Sequence, residues 1–181
     1  MTWNMMIKMI ENVYKEMLDA FPDTLERTSA DSANSESMTS SQKLVVNLDR
    51  FKEDFVKKLS SRGKPVNGLP MSCDALLYMT THNIFFMIEF KNGNINERDI
   101  RTKALESLLM LTEKFSVTTE FTRDNMNFIL VHSEDTEQMS IKNMMYKRAD
   151  RFNLAYFENL YFKKVYIYSK TQFDKRFVSR Y

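Results

Sequence analysis

The chain has 181 residues, 43% of them hydrophobic and 28% charged, with a net charge of only +2, a balance and length that fit one globular domain with a core needing no staples. Cys73 is the sole cysteine, which excludes an intrachain disulfide and gives no sign of an oxidising compartment. No stretch approaches the ~20 apolar residues of a membrane span, and acids and lysines interrupt the opening MTWNMMIKMIENVYKEM, which excludes a signal-peptide core; the expectation is a cytoplasmic protein with no membrane partner.

Trp3, Met6, Ile7, Ile10, Val13, Tyr14, Met17, Leu18 and Phe21 recur at three- and four-residue spacing, predicting an amphipathic helix over 1–21 that Pro22 ends. Residues 23–42 are rich in Ser, Thr, Asp and Asn, with Leu25 and Met38 their only large apolar groups, and read as a mobile loop. A second helix is predicted from an N-cap at Ser40 or Ser41, with Leu44, Val45, Leu48, Phe51, Phe55, Val56 and Leu59 inward and Gly63 as its stop. Two β-rich runs, 73–79 and 84–91, flank the polar tetrad Thr80-Thr81-His82-Asn83 and read as a hairpin, closed by the turn residues Asn92-Gly93-Asn94. A third helix runs from Glu97 to Phe115, and the nearly all-apolar run 126–132 suits a strand buried on both faces. A basic helix over 138–159, a strand over 163–169 and a short helix capped by Thr171 follow. The predicted order is α-α-β-β-α-β-α-β-α, an α/β fold with a mixed central β-sheet flanked by helices. It divides one domain into a helix (1–21), a loop (23–42), a core (43–132) and a basic C-terminal part (133–181).

Charge is unevenly spread along this order. Residues 1–41 hold three basic and seven acidic groups, and residues 142–181 hold ten basic and three acidic. Such asymmetry is what a polyanion-binding face would have, although a solvated helix face has it too. Lys142, Lys147, Arg148 and Arg151 interleave with Tyr146, Phe152, Tyr156 and Phe157, so cations could meet phosphates while an exposed ring stacks on a base; most of these rings also suit a core. His82, His132 and Cys73 make no zinc pattern, and three glycines leave no phosphate-binding glycine loop. Fourteen methionines imply flexible core filling rather than a function.

The hairpin carries the chemistry. With its turn centred between Thr81 and His82, Asp74 sits opposite Glu89, where cross-strand Cβ atoms are about 4.5–5.5 Å apart and like charges repel. Lys91 projects on the Glu89 face because side chains alternate along a strand. Two carboxylates and an ammonium thus converge at the end of an otherwise apolar hairpin. A divalent cation, Mg²⁺ or Mn²⁺, would turn the repulsion into coordination and activate a water, with Lys91 stabilising developing negative charge. Equally, Lys91 could neutralise the pair in a structural ion cluster.

Asp74, fourteen residues, then Glu89-Phe90-Lys91 resembles the PD-(D/E)xK nuclease superfamily, whose core is a helix, a hairpin bearing the Asp and the Glu-x-Lys, a crossover helix and another strand. The order over residues 41–132, about half the chain, is similar; Cys73 stands where the family has proline. The resemblance implies a restriction-endonuclease-like fold and a metal-dependent nuclease, with DNA favoured over RNA and room for a homodimer. It makes Asp74, Glu89 and the backbone carbonyl of Phe90 metal ligands, with Lys91 the catalytic lysine. Glu53 on the preceding helix is the candidate further ligand, and Arg101 and Lys103 on the following helix would contact a phosphate or support the site. The alternative is a catalytically inactive protein on the same fold, binding nucleic acid or another protein.

Overall fold

The computed structural model describes residues 3–31, 36–63, 65–133 and 152–180. Its helices are α1 (Trp3–Ala20), α2 (Leu25–Thr28), α3 (Leu48–Ser61), α4 (Glu97–Phe115), α5 (Thr119–Asn125) and α6 (Lys170–Arg176). Its strands are β1 (Pro22–Thr24), β2 (Ala30–Asp31), β3 (Glu36–Ser37), β4 (Leu44–Asn47), β5 (Ala75–Met79), β6 (Ile84–Lys91), β7 (Met126–His132) and β8 (Lys164–Ser169). Six strands form one sheet in the order β1-β4-β5-β6-β7-β8, while β2 and β3 pair separately. Pairing is antiparallel from β1 to β6 and parallel from β6 to β8. The chain is therefore α/β, with a six-stranded mixed sheet flanked by helices. Among the described residues no helix is long and apolar enough to cross a membrane.

Alternation along β6 sorts the core into two layers. Phe85 and Met87 join Ile10, Met17, Phe51, Ile100, Leu111 and Phe121 from α1, α3, α4 and α5, whereas Phe86, Ile88 and Phe90 join Leu25, Met38, Phe173 and Phe177. β6 and β7 are buried almost throughout, as the nearly all-apolar run 126–132 predicts for β7. The parallel step from β6 to β7 needs a long crossover, and α4 with α5 supplies it.

The structure departs from the sequence reading at five places. Leu44, Val45 and Val46 are not the start of a helix but a strand, because Val45 fills one core layer and Val46 the other. The helix begins at Leu48, capped by Asn47, whose side-chain oxygen accepts the Arg50 N–H at 2.9 Å. The same amide donates to Asp23 at 2.9 Å, tying α3 to β1. Asn47→Ala should cost about 1–2 kcal/mol, read as a lower urea midpoint at unchanged slope.

The polar stretch predicted as a loop carries α2 and three short strands, and both of its large apolar groups, Leu25 and Met38, are buried. Side-chain hydrogen bonds do the ordering that apolar burial could not. Thr24 caps α2, and the Ser29 hydroxyl donates to the Glu26 carbonyl while accepting the Met38 and Thr39 N–H groups. We call the described residues of 22–43 the strap. Thr39 donates to Asp174 of α6 at 2.6 Å, and Lys170 meets Glu36 at 2.7 Å.

Most of the predicted basic helix, with Lys142, Lys147, Arg148 and Arg151, lies outside the described residues. Its described end is not α-helical: Ala155–Phe157 is a 3₁₀ turn and Glu158 bridges to Phe162, because Phe152, Leu154, Phe157 and Phe162 all plug the core. The last helix is capped by Ser169 rather than Thr171, in a capping box with Gln172. The short helix α5 is polar in sequence, carries no periodic apolar stripe, and is anchored by buried Phe121.

Candidate metal centre

The β5–β6 ladder runs from Ala75↔Ile88 to Met79↔Ile84, the register that the turn tetrad predicts. Just beyond it the ladder ends: the Asp74 N–H donates to the Ile88 carbonyl at 3.1 Å, out of the paired register, and the Asp74 carboxyl comes within reach of that of Glu89. Asp74 also turns a carboxylate oxygen onto the Phe90 N–H at 2.6 Å. Main-chain N–H and C=O of one strand residue share an edge, so the Phe90 carbonyl points to the Asp74 side as well.

Glu89 is wholly buried, on the face of the sheet that α4 covers. Its cation is Lys103 of α4, not Lys91: the ammonium lies 2.6 Å from Oε1. The other oxygen, Oε2, is buried and meets no donor among the described residues. Burying a carboxylate with an unsatisfied oxygen is costly. Here the cost is compounded by a second carboxylate within hydrogen-bonding reach.

The titration of these groups follows. Burial pushes the Asp74 carboxyl up to about 6, against the opposing pull of Lys103 and the Phe90 N–H. Burial and then the Asp74 charge push Glu89 well above the usual carboxylate range, with Lys103 offsetting only part. Burial alone would lower the Lys103 ammonium, but Asp74 and Glu89 together raise it, so the lysine stays charged. Cys73, buried behind the pair, is raised by burial and both carboxylates, which rules it out as a thiolate nucleophile at neutral pH.

A third acid stands nearby on the first turn of α3. Asp49 accepts hydrogen bonds from Lys52 and from the Ser72 hydroxyl, both at 2.6 Å. Burial would raise its carboxyl, yet those two bonds and the charges of Lys52 and Lys103 hold it below the ordinary value. The Asp49 charge is felt by Asp74. The family resemblance points instead to Glu53 on this helix. The structure puts Glu53 one turn further along and exposed, with Asp49 at the end that meets the hairpin. The signal that would have found Asp49 is its place in the first helical turn, directly after the strand that leads into the sheet.

Lys91 ends β6 and lines, with Asp74 and Phe90, a cavity of about 220 Å³ whose opposite wall is Thr28, Ser29 and Met38 of the strap. Asp74 and Lys91 thus share one cavity, which Glu89 and Lys103 do not line. Arg101 is half-exposed on α4 and joins none of these bonds or ion pairs among the described residues. No group of three or more His, Cys, Asp or Glu side chains is gathered for a metal among the described residues. The protein's own donors for a cation would be two carboxylates and a carbonyl.

No protein-family model, no curated protein and no solved structure matches this chain.

Proposed function

We propose that this chain is a metal-dependent nuclease of the PD-(D/E)xK kind, hydrolysing phosphodiester bonds of nucleic acid, DNA in preference to RNA. One observation carries the reading. Glu89 is fully buried, its Oε2 has no donor among the described residues, and a second carboxylate lies close against it; only a cation or a shared proton relieves that arrangement. The helix–hairpin–crossover helix–strand order of α3, β5–β6, α4 and β7 supports it, as does Lys91 beside Asp74 in one cavity.

Asp74, Glu89 Oε2 and the Phe90 carbonyl would hold Mg²⁺ or Mn²⁺, hard oxygen donors that leave several positions to water and substrate. A bound ion supplies Lewis acidity toward the phosphoryl oxygen and a bound water of lowered pKa. Lys103 fixes Glu89 through Oε1 and leaves Oε2 for coordination. Asp74 is oriented by the Phe90 N–H. Lys91, at the cavity wall, orients the attacking water and stabilises negative charge that grows on the phosphate. The leaving 3′- or 5′-oxygen takes its proton from solvent at the cavity mouth.

The alternative, a catalytically inactive module on this fold, is favoured by one feature: Lys103 already neutralises Glu89, and the Phe90 N–H already holds Asp74. Cleavage of end-labelled DNA in Mn²⁺ separates the two. Asp74→Ala and Lys91→Ala should each reduce the rate at least 100-fold with the fold retained by circular dichroism. Undiminished cleavage in either variant removes that residue from the mechanism, and no cleavage by the wild type favours the inactive module.

A further inference from the structure

Asp74 stands where the β5–β6 ladder has already stopped, so strand pairing does not hold the residues that lead into it. Met71, Ser72 and Cys73 belong to no helix or strand, yet each is tied by a side chain from a neighbouring helix. The Met71 N–H donates to the Glu106 carboxylate, and the Cys73 N–H donates to the Ser107 hydroxyl at 2.8 Å, both on α4. The Ser72 hydroxyl donates to Asp49 of α3 at 2.6 Å. One residue further, the Asp74 carbonyl accepts the Leu48 N–H at 3.1 Å.

Among the three side-chain ties, the one at Ser107 is closest to Asp74 in sequence. It is also the only one of them that is buried; those of Glu106 and Asp49 are partly open to water. Ser107 follows Lys103 by four residues, about one helical turn, so both side chains leave the same face of α4. Lys103 reaches Glu89 at 2.6 Å, and Ser107 reaches the residue before Asp74. Ile100, Ala104, Leu108 and Leu111 seat this helix in the core. One face of one packed helix therefore holds both carboxylates, at the end of the hairpin where main-chain pairing between their strands has lapsed.

Resting on the nuclease reading above, we propose that Ser107 is a positioning residue of the metal centre. Through the Cys73 N–H it keeps the Asp74 carboxylate at a distance from Glu89 that one cation can span. Coordination tolerates errors of only about 0.2 Å in a donor's distance. With the hydroxyl gone, the buried Cys73 N–H must find another acceptor, and the segment shifts toward one. Both carboxylates would remain, but no longer aimed at a common point.

The test compares the full wild-type chain with Ser107→Ala, Ser107→Thr and Thr122→Ala, each checked for fold by circular dichroism. Thr122→Ala is the matched control, since that buried hydroxyl also bonds main chain, the Tyr161 carbonyl at 2.8 Å, but from α5. Ser107→Ala should bind Mn²⁺ about tenfold more weakly or worse by calorimetry, the scale at which groups that orient metal ligands act. Its half-maximal DNA cleavage should need correspondingly more Mn²⁺. Ser107→Thr, which keeps the hydroxyl, and Thr122→Ala should both stay close to the wild-type affinity. A folded Ser107→Ala with wild-type Mn²⁺ affinity, or either other variant losing as much, overturns this inference and leaves the nuclease reading standing. A wild type that neither binds Mn²⁺ nor cuts DNA overturns both.

Discussion

Lys103→Met should lose about 3 kcal/mol of folding stability at pH 7.5, the scale expected when one partner of a buried ion pair is removed. The substitution keeps most of the apolar stem, so the loss reports the charge. Glu89 is fully buried, and its Oε1 would lose its 2.6 Å partner while Oε2 still has none among the described residues. The carboxyl has one escape, which is to hold a proton. Its folded pKa, already above the ordinary value, would rise further, so the folded variant binds a proton that the unfolded chain releases. The penalty therefore grows as pH rises and fades as the solution approaches the unfolded carboxylate range. Adding Glu89→Gln should recover most of the loss, because the amide carries no charge to strand. Urea titrations of the four proteins of that double-mutant cycle check it. A Lys103→Met as stable as wild type at pH 7.5 would mean that Glu89 is already protonated and the ion pair contributes nothing.

Asp74→Asn is expected to move stability and function in opposite directions. With burial as the first cause, the Asp74 carboxyl sits at about 6 instead of 3.8. The folded protein thus binds more protons than the unfolded chain between those values. Stability falls as pH rises through that window, and the whole deficit is present above about 6. Asparagine removes it while its amide oxygen can still accept the Phe90 N–H. The metal-free variant should gain up to about 3 kcal/mol at pH 8, since each tenfold separation of the two proton affinities is worth roughly 1.4 kcal/mol, and almost nothing at pH 4. Mn²⁺ affinity should drop at least 100-fold by calorimetry. In the wild type that affinity should climb as pH rises toward and past 6, as protons leave the carboxylates. A variant no more stable than wild type at pH 8 would show that the Asp74–Glu89 repulsion is relieved some other way in the metal-free protein.

The sheet was legible where one signal governed. Residues 126–132 are apolar on both faces, and a strand there is the only element that buries both. The hairpin register followed from the turn tetrad as far as Ala75↔Ile88, where the ladder ends. Where two signals compete, periodicity alone misleads. Leu44, Val45 and Leu48 fit a helical stripe, yet the first two belong to a strand and only the third to the helix. The strap was illegible because its order comes from Ser29, Thr39 and Thr24 bonding to main chain and to a helix 135 residues away, which composition does not encode. The role of Lys103 needed the third dimension. Its spacing from Glu89 says nothing until α4 crosses over β6 and brings the two together.

The pairings Thr39–Asp174 and Lys170–Glu36 bear on how the protein is made. Synthesis proceeds from the N-terminus, and domains assemble as their pieces emerge. The hairpin that carries Asp74 and Glu89 needs only local pairing, so it can form while the chain is still being extended. The clasp that seats the strap against α6 needs residues 170–174, far downstream of Glu89. A nascent chain therefore has its acidic residues long before it has the clasp, and the strap is seated only once α6 has left the ribosome.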